Sequence, residues 1–229
     1  MSELITYALD EGVATITMDD GKVNALSSQM AAAVGAGLDR AAADGAAVVL
    51  TGRATTLCAG FDLRTPAEGW PQMLVDGAGL AERLLSFPHP VVVACNGNAI
   101  AMGAFLLLSG DLRIGVTGEF AIGLNEVAIG MTLPWFAIAL ARHRLTPPAF
   151  DRCTVTGPLL KPDEALTAGF LDRLVAPEDL AAEVAAAARE LCGLNQPAHA
   201  ATKLRIREGV LAGVRDGITR IQTMDRPDW

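Results

Sequence analysis

Within residues 122–134, IGLNEVAIGMTLP, there is one carboxylate, Glu126. A carboxylate drawn unpaired into so apolar a surround has its pKa raised by desolvation, which suits proton transfer near neutral pH. The same pattern fits a solvated glutamate on a surface loop. A second chemical feature lies in residues 90–111, PVVVACNGNAIAMGAFLLLSGD. Its β-branched start reads as a strand buried on both faces, and Asn96-Gly97-Asn98 reads as a turn. A helix opening after that turn leaves free main-chain amides near Met102 and Gly103, pointing out of a dry pocket. Such amides stabilise a developing oxyanion. The alternative is a buried strand–turn–helix that holds no ligand. A membrane span is excluded, because the Asn-Gly-Asn break leaves apolar runs that are too short and no basic flank follows. A third feature is Cys58-Ala59-Gly60-Phe61-Asp62-Leu63, a glycine-containing loop of the kind that brings amides to a ligand after a strand.

Other chemistries find no support. Cys58, Cys95, Cys153 and Cys192 are widely spaced without a CxxC pair, so neither structural zinc nor a disulfide framework is expected, and the thiols should be reduced and mostly buried. His89, His143 and His199 are equally dispersed, and no GxSxG, Walker or HExxH pattern occurs. A net charge of −8 with scattered acidic residues argues against nucleic acid or an anionic membrane as partner. The absence of a cationic, apolar leader makes a cytoplasmic location the default expectation.

The elements that must position these features follow from local patterns. Residues 5–9 and 13–18 alternate apolar and polar across Asp10-Glu11-Gly12, predicting a β-hairpin. Ser27 is a plausible N-cap for a helix over 28–43, which Gly35 and Gly37 weaken. A short strand over 47–51, a helix over 70–86 and the buried strand at 91–94 come next. Residues 112–116 read as a strand and 120–122 as extended. Pro134 should open a helix to 142, and another should start at 161–164 and stop at Gly169. Helices are predicted over 177–192, 197–214 and 217–224. The bases Lys203, Arg205, Arg207 and Arg220 on these read as a solvated helix face. Strand pairs followed by helices recur in the first half, and then the strands cease. At 229 residues with no linker, the chain divides into an α/β core over residues 1–156 and a helical region over 157–229.

Taken together, these residues resemble the crotonase (enoyl-CoA hydratase/isomerase) superfamily over nearly the whole chain. The matches are Asn24-Ala25-Leu26-Ser27, residues 58–63, His89-Pro90 through Asn96-Gly97, Glu126 with Gly130 and Pro134, and Lys161 through Leu171. The resemblance implies a ClpP-like spiral of ββα units with a helical C-terminal region, assembled as a homotrimer or homohexamer. It implies an acyl coenzyme A thioester as substrate and no permanently bound cofactor or metal. The amides of Phe61 and Met102 would hold the thioester oxygen. Lys22, Val23, Ala25 and Leu26, with Ala59, Gly60, Phe61, Asp62 and Leu63, would cradle the pantetheine and adenine. Gly103, Phe105 and Trp135 would line the substrate pocket.

One departure matters. Hydratases of the family use two glutamates; the second matches Glu126, but the first falls at Phe105. A single base resembles the isomerases that carry a proton from the α to the γ carbon of a 3-enoyl thioester. Hydration is the runner-up, and acyl-CoA binding without catalysis is the reading from a different class. The ClpP-type protease chemistry is disfavoured, because no Ser–His pair sits near the predicted amides.

Overall fold

The computed structural model describes residues 4–53 and 55–223. Strands β1 (Ile5–Asp10) and β2 (Val13–Met18) form the expected antiparallel hairpin. Glu11 and Gly12 both have positive φ, 46° and 79°, as the right-handed twist of a tight hairpin requires. Helix α1 (Ser28–Ala43) starts where the Ser27 hydroxyl accepts from the Met30 amide. Its glycines are packing features: a Cβ at Gly37 would stand 3.0 Å from Ile16 and 3.2 Å from Ile5. The chain continues through β3 (Ala47–Gly52), β4 (Thr56–Cys58) and α2 (Trp70–Ser86), then β5 (Val91–Cys95), β6 (Asn98–Ile100) and α3 (Met102–Leu108). Next come β7 (Leu112–Val116), β8 (Ile122–Gly123) and α4 (Trp135–Arg144). Pro134 stands at the N-cap of α4 rather than inside it.

Each of these three β-β-α units gives its first strand to one sheet and its second to another. The large sheet has the order β1-β2-β3-β5-β7 and the small one β4-β6-β8. Beyond β1 every one of these pairings is parallel. The result is a spiral with two sheets separated by its turns, and α1, α2 and α3 pack on the buried side. Strand β5 is buried along its whole length, which explains its unbroken β-branched run.

Beyond residue 156 the strands do not cease. Helix α5 (Pro147–Thr156) is followed by β9 (Leu159–Leu160), which pairs with β8, and α6 (Pro162–Ala168), stopped by Gly169, leads to β10 (Arg173–Val175) beside β7. Both strands are too short to show a period of two, and they tie the second half of the chain into the sheets of the first. Helix α7 (Leu180–Cys192) follows a single 3₁₀ turn and packs on the outer face of the large sheet. Helices α8 (Gln196–Ile206) and α9 (Glu208–Thr223) break at Arg207, not near residue 215 as the sequence suggested, and Met224 lies outside the described residues. Among the described residues no helix is long and apolar enough to cross a membrane.

Two of the four bases read as a solvated face are in fact buried. Lys203 Nζ donates to the carbonyls of Phe87 and His89 and pairs with Asp111 at 2.6 Å. Arg207 donates to the Leu85 carbonyl and pairs with Asp111 at 2.8 Å. The reason is the end of α2, where the main-chain carbonyls before Pro88 and Pro90 have lost helical donors and need others. Arg205 stays exposed, and Arg220 lies over the Trp135 ring at 4.7 Å. Asp111→Asn would leave two cations buried without their counter-charge. Urea unfolding should show a loss of about 3–5 kcal/mol. A loss below about 1 kcal/mol would mean that the carbonyls alone hold these side chains.

Candidate active site

Three parallel strands of the small sheet end side by side, and each delivers one of the sequence features at its C-terminal end. Strand β4 leads into Ala59-Gly60-Phe61, β6 into Ala101-Met102, and β8 into Leu124-Asn125-Glu126. The carboxyl ends of parallel strands are where open α/β sheets collect ligand-binding groups. The three ends are also in direct contact. Ala101 N–H donates to the Gly123 carbonyl at 2.9 Å. A Cβ at Gly60 would lie 3.2 Å from the Ala101 methyl. A Cβ at Gly103 would lie 2.0 Å from the Cys58 carbonyl oxygen, so Gly103 serves close packing of α3 on β4 rather than approach to a ligand.

The segment at residues 20–26 is laid along the first of these ends. Leu26 forms a parallel bridge with Phe61: its N–H donates to Gly60 O at 2.7 Å, and its C=O accepts from Asp62 N at 3.0 Å. In such a bridge the N–H of the central residue, Phe61, points away from the partner strand. Met102 opens α3, so its amide has no acceptor within the helix. Neither amide donates to a carbonyl of the described residues. Both side chains pack against α2 at Gly77, where a Cβ would lie 2.6 Å from the Phe61 ring and 3.1 Å from the Met102 sulfur.

Asn24 anchors the same loop, a role the residue types alone do not reveal. It is buried at φ 53°, and its side-chain NH₂ donates to Met18 O, Thr56 O and Leu57 O. Asp20 gathers the amides of Lys22, Asn24 and Ala25 on its carboxylate. Such side-chain-to-amide closures are the Asx turns that aspartate favours. Ala101 carries φ 50° and ψ −116°, a conformation that costs a non-glycine residue about 1–3 kcal/mol.

Glu126 is only 5% exposed, and its Oε2 has no hydrogen-bond partner among the described residues. The surface-loop alternative is thereby excluded. Burial raises its pKa from 4.5 to about 7, opposed only by its own backbone amide. Asp62, the other carboxylate at these strand ends, is held by Arg64 through two hydrogen bonds of 2.8 Å, which keep its pKa below the usual value. Phe105 is buried edge-to-face against Phe136, with ring centroids 5.5 Å apart. Trp135 is 49% exposed beneath Arg220, at the surface rather than in an enclosed pocket. Lys22, Val23 and Leu63 are exposed, Ala25, Ala59 and Asp62 half-buried, and the Leu26 side chain lies wholly in the core. Cys58, Cys95 and Cys153 are buried thiols, and Cys192 is half-buried. No cluster of potential metal ligands occurs among the described residues.

This arrangement defines a crotonase-type α/β protein. The sequence profile of the enoyl-CoA hydratase/isomerase family matches residues 8–212, and the chain belongs to that family. A putative enoyl-CoA hydratase of Thermus thermophilus is 34% identical over 220 residues, covering 90% of this chain and 84% of that protein. Among solved structures, a Mycobacterium tuberculosis protein, called an enoyl-CoA isomerase in this apo structure and a probable enoyl-CoA hydratase in another, superposes with a TM-score of 0.94 at 46% identity, covering 97% of this chain and 99% of that one. An enoyl-CoA hydratase of Mycobacterium marinum gives 0.92 at 44%, covering 96% and 98%.

The buried carboxylate has a measurable consequence. Because the folded-state pKa of Glu126 is raised, the native protein binds an extra proton between 4.5 and about 7. Stability therefore falls as pH rises through that window, by about 3 kcal/mol in all. Glu126→Gln should remove this slope and unfold at higher urea than the parent at pH 8. Parallel stability–pH curves for the two proteins would show that Glu126 is ionised at no cost.

Proposed function

We propose that the protein converts 3-enoyl-CoA to 2-enoyl-CoA, with Glu126 as the only proton carrier. The amides of Phe61 and Met102 hold the thioester oxygen. Glu126 removes a proton from the α carbon, the electron pair shifts through the enolate, and the same carboxyl returns the proton at the γ carbon. The observation that carries this reading is the isolation of Glu126: of the two carboxylates at these strand ends it alone lacks a cationic partner. A carboxyl with a pKa of about 7 is suited to both taking and giving a proton at neutral pH. Phe105, at the place where the hydratases of the resemblance carry their other glutamate, presents no group to activate water. The relatives' names do not favour either reaction, since one mycobacterial protein is called an isomerase in one solved structure and a probable hydratase in another.

The coenzyme A portion is assigned to the segments at residues 22–26 and 59–63, which lie side by side. Leu26 contributes main chain there, its side chain being in the core. We also propose association as a homotrimer or homohexamer, supported by the exposed apolar side chains of Val127, Ile129, Trp135, Val155 and Leu159. A monomer by light scattering across a wide concentration range would overturn the assembly.

A paired assay of 3-enoyl-CoA and 2-enoyl-CoA separates the reactions. The parent should isomerise the former and hydrate the latter poorly, and kcat/KM should rise with pH through about 7 as Glu126 ionises. Glu126→Gln should lose about 10²–10⁴-fold in kcat with thioester binding nearly intact. Phe105→Glu should raise hydration. Efficient hydration by the parent overturns the isomerase reading, and thioester binding with no turnover identifies a non-catalytic acyl-CoA binder.

A further inference from the structure

The residue before Met102 is an alanine standing where glycine is the ordinary choice. Its φ of 50° and ψ of −116° are those of the first central residue of a type II′ turn. Three contacts hold Ala101 in that conformation. Its N–H donates to Gly123 O at 2.9 Å, its C=O accepts from Phe105 N at 3.1 Å, and its methyl lies 3.2 Å from where a Cβ on Gly60 would stand. Because the peptide is planar and trans, the direction of the Ala101 carbonyl also fixes that of the Met102 N–H. Because Gly60 precedes Phe61, contact between the methyl and Gly60 sets how closely the two loops approach.

We propose that Ala101 is a positioning residue whose methyl, wedged against Gly60, fixes the direction of the Met102 amide and its separation from the Phe61 amide. The proposal rests on the reading of those two amides as donors to the thioester oxygen. Glycine at 101 reaches the same φ and ψ without strain, but it also reaches neighbouring conformations and leaves the space beside Gly60 empty. The donors are then no longer held at one spacing, and a preorganised oxyanion site depends on that spacing. Nor is Gly60 free to supply the missing methyl, since its φ of 108° favours glycine.

The test compares two ligands on folded protein. Acetoacetyl-CoA is a 3-oxoacyl thioester whose enolate places charge on the thioester oxygen; butyryl-CoA is the saturated thioester of the same length. Enolate content is read by ultraviolet absorbance and affinities by calorimetric titration. The parent should favour acetoacetyl-CoA and raise its enolate absorbance. Ala101→Gly should cut that preference about tenfold, a fraction of the ~10²–10³ lost with a whole donor, while butyryl-CoA affinity and KM for 3-enoyl-CoA stay within about twofold. Its melting temperature should not fall, because strain is relieved. Ala101→Ser, which keeps a Cβ of equal reach, should retain the preference. An unchanged preference in Ala101→Gly, or an equal loss in Ala101→Ser, overturns the positioning role. A parent protein that binds both thioesters alike without enolate absorbance overturns the oxyanion reading, and the positioning role with it.

Discussion

At Gly103 the main chain of α3 comes so close to β4 that a Cβ would stand 2.0 Å from the Cys58 carbonyl oxygen. Everything at the strand ends depends on this approach. It sets β4 and β6 in contact just before both chains leave the sheet, so Gly60 approaches Ala101 and both Phe61 and Met102 pack against α2 at Gly77. Any side chain at 103 would push α3 away from the sheet and separate the two loops. The pairing of β6 with β8 continues the same constraint one strand further, through the Ala101–Gly123 hydrogen bond, and so places the segment carrying Glu126 beside the other two.

The site gathers features that each oppose folding. Ala101 and Asn24 sit at positive φ, and Glu126 keeps a buried oxygen without a partner. Such features persist only where surrounding structure over-determines them. Here that structure is main chain: the Asn24 amide bonds three carbonyls, and Ala101 is bonded at both its N–H and its C=O. On the far side of the core the pattern is the reverse. Around Asp111 every strong charge has an opposite charge or a carbonyl, with Lys203 and Arg207 satisfying the end of α2 while they pair with the carboxylate. Through these contacts Lys203 and Arg207 fasten α8 and the start of α9 to the end of α2.

What the sequence made legible was mostly local. The hairpin at Glu11-Gly12, the Ser27 cap and the full extents of α1 and α2 follow from patterns within a few residues. So does the apolar surround that buries Glu126. Strands β9 and β10 escaped because two or three residues carry no period, and their partners lie far away in the chain. Lys203 and Arg207 were misjudged for a related reason: their burial is decided by carbonyls and a carboxylate of the first half of the chain. Trp135, at the first turn of α4, is half exposed under Arg220. That the segments carrying Phe61 and Met102 lie side by side had no local signal, because it arises only when two parallel strands from separate units end together.

Helix α3 joins packing to chemistry more tightly than its length suggests. All seven of its residues are buried, and Phe105 contacts Phe136 of α4 edge-to-face. A carboxylate at 105 would lose that contact and would have to be hydrated or paired inside an apolar core, at a cost of several kcal/mol. An oxygen ligand held near the Met102 amide would therefore find apolar side chains along α3 and one carboxyl group arriving from β8. The packing of α3 against α4 thus resists a carboxylate at 105, and it bears on the reaction only through the likeness that puts the hydratases' other glutamate at that position.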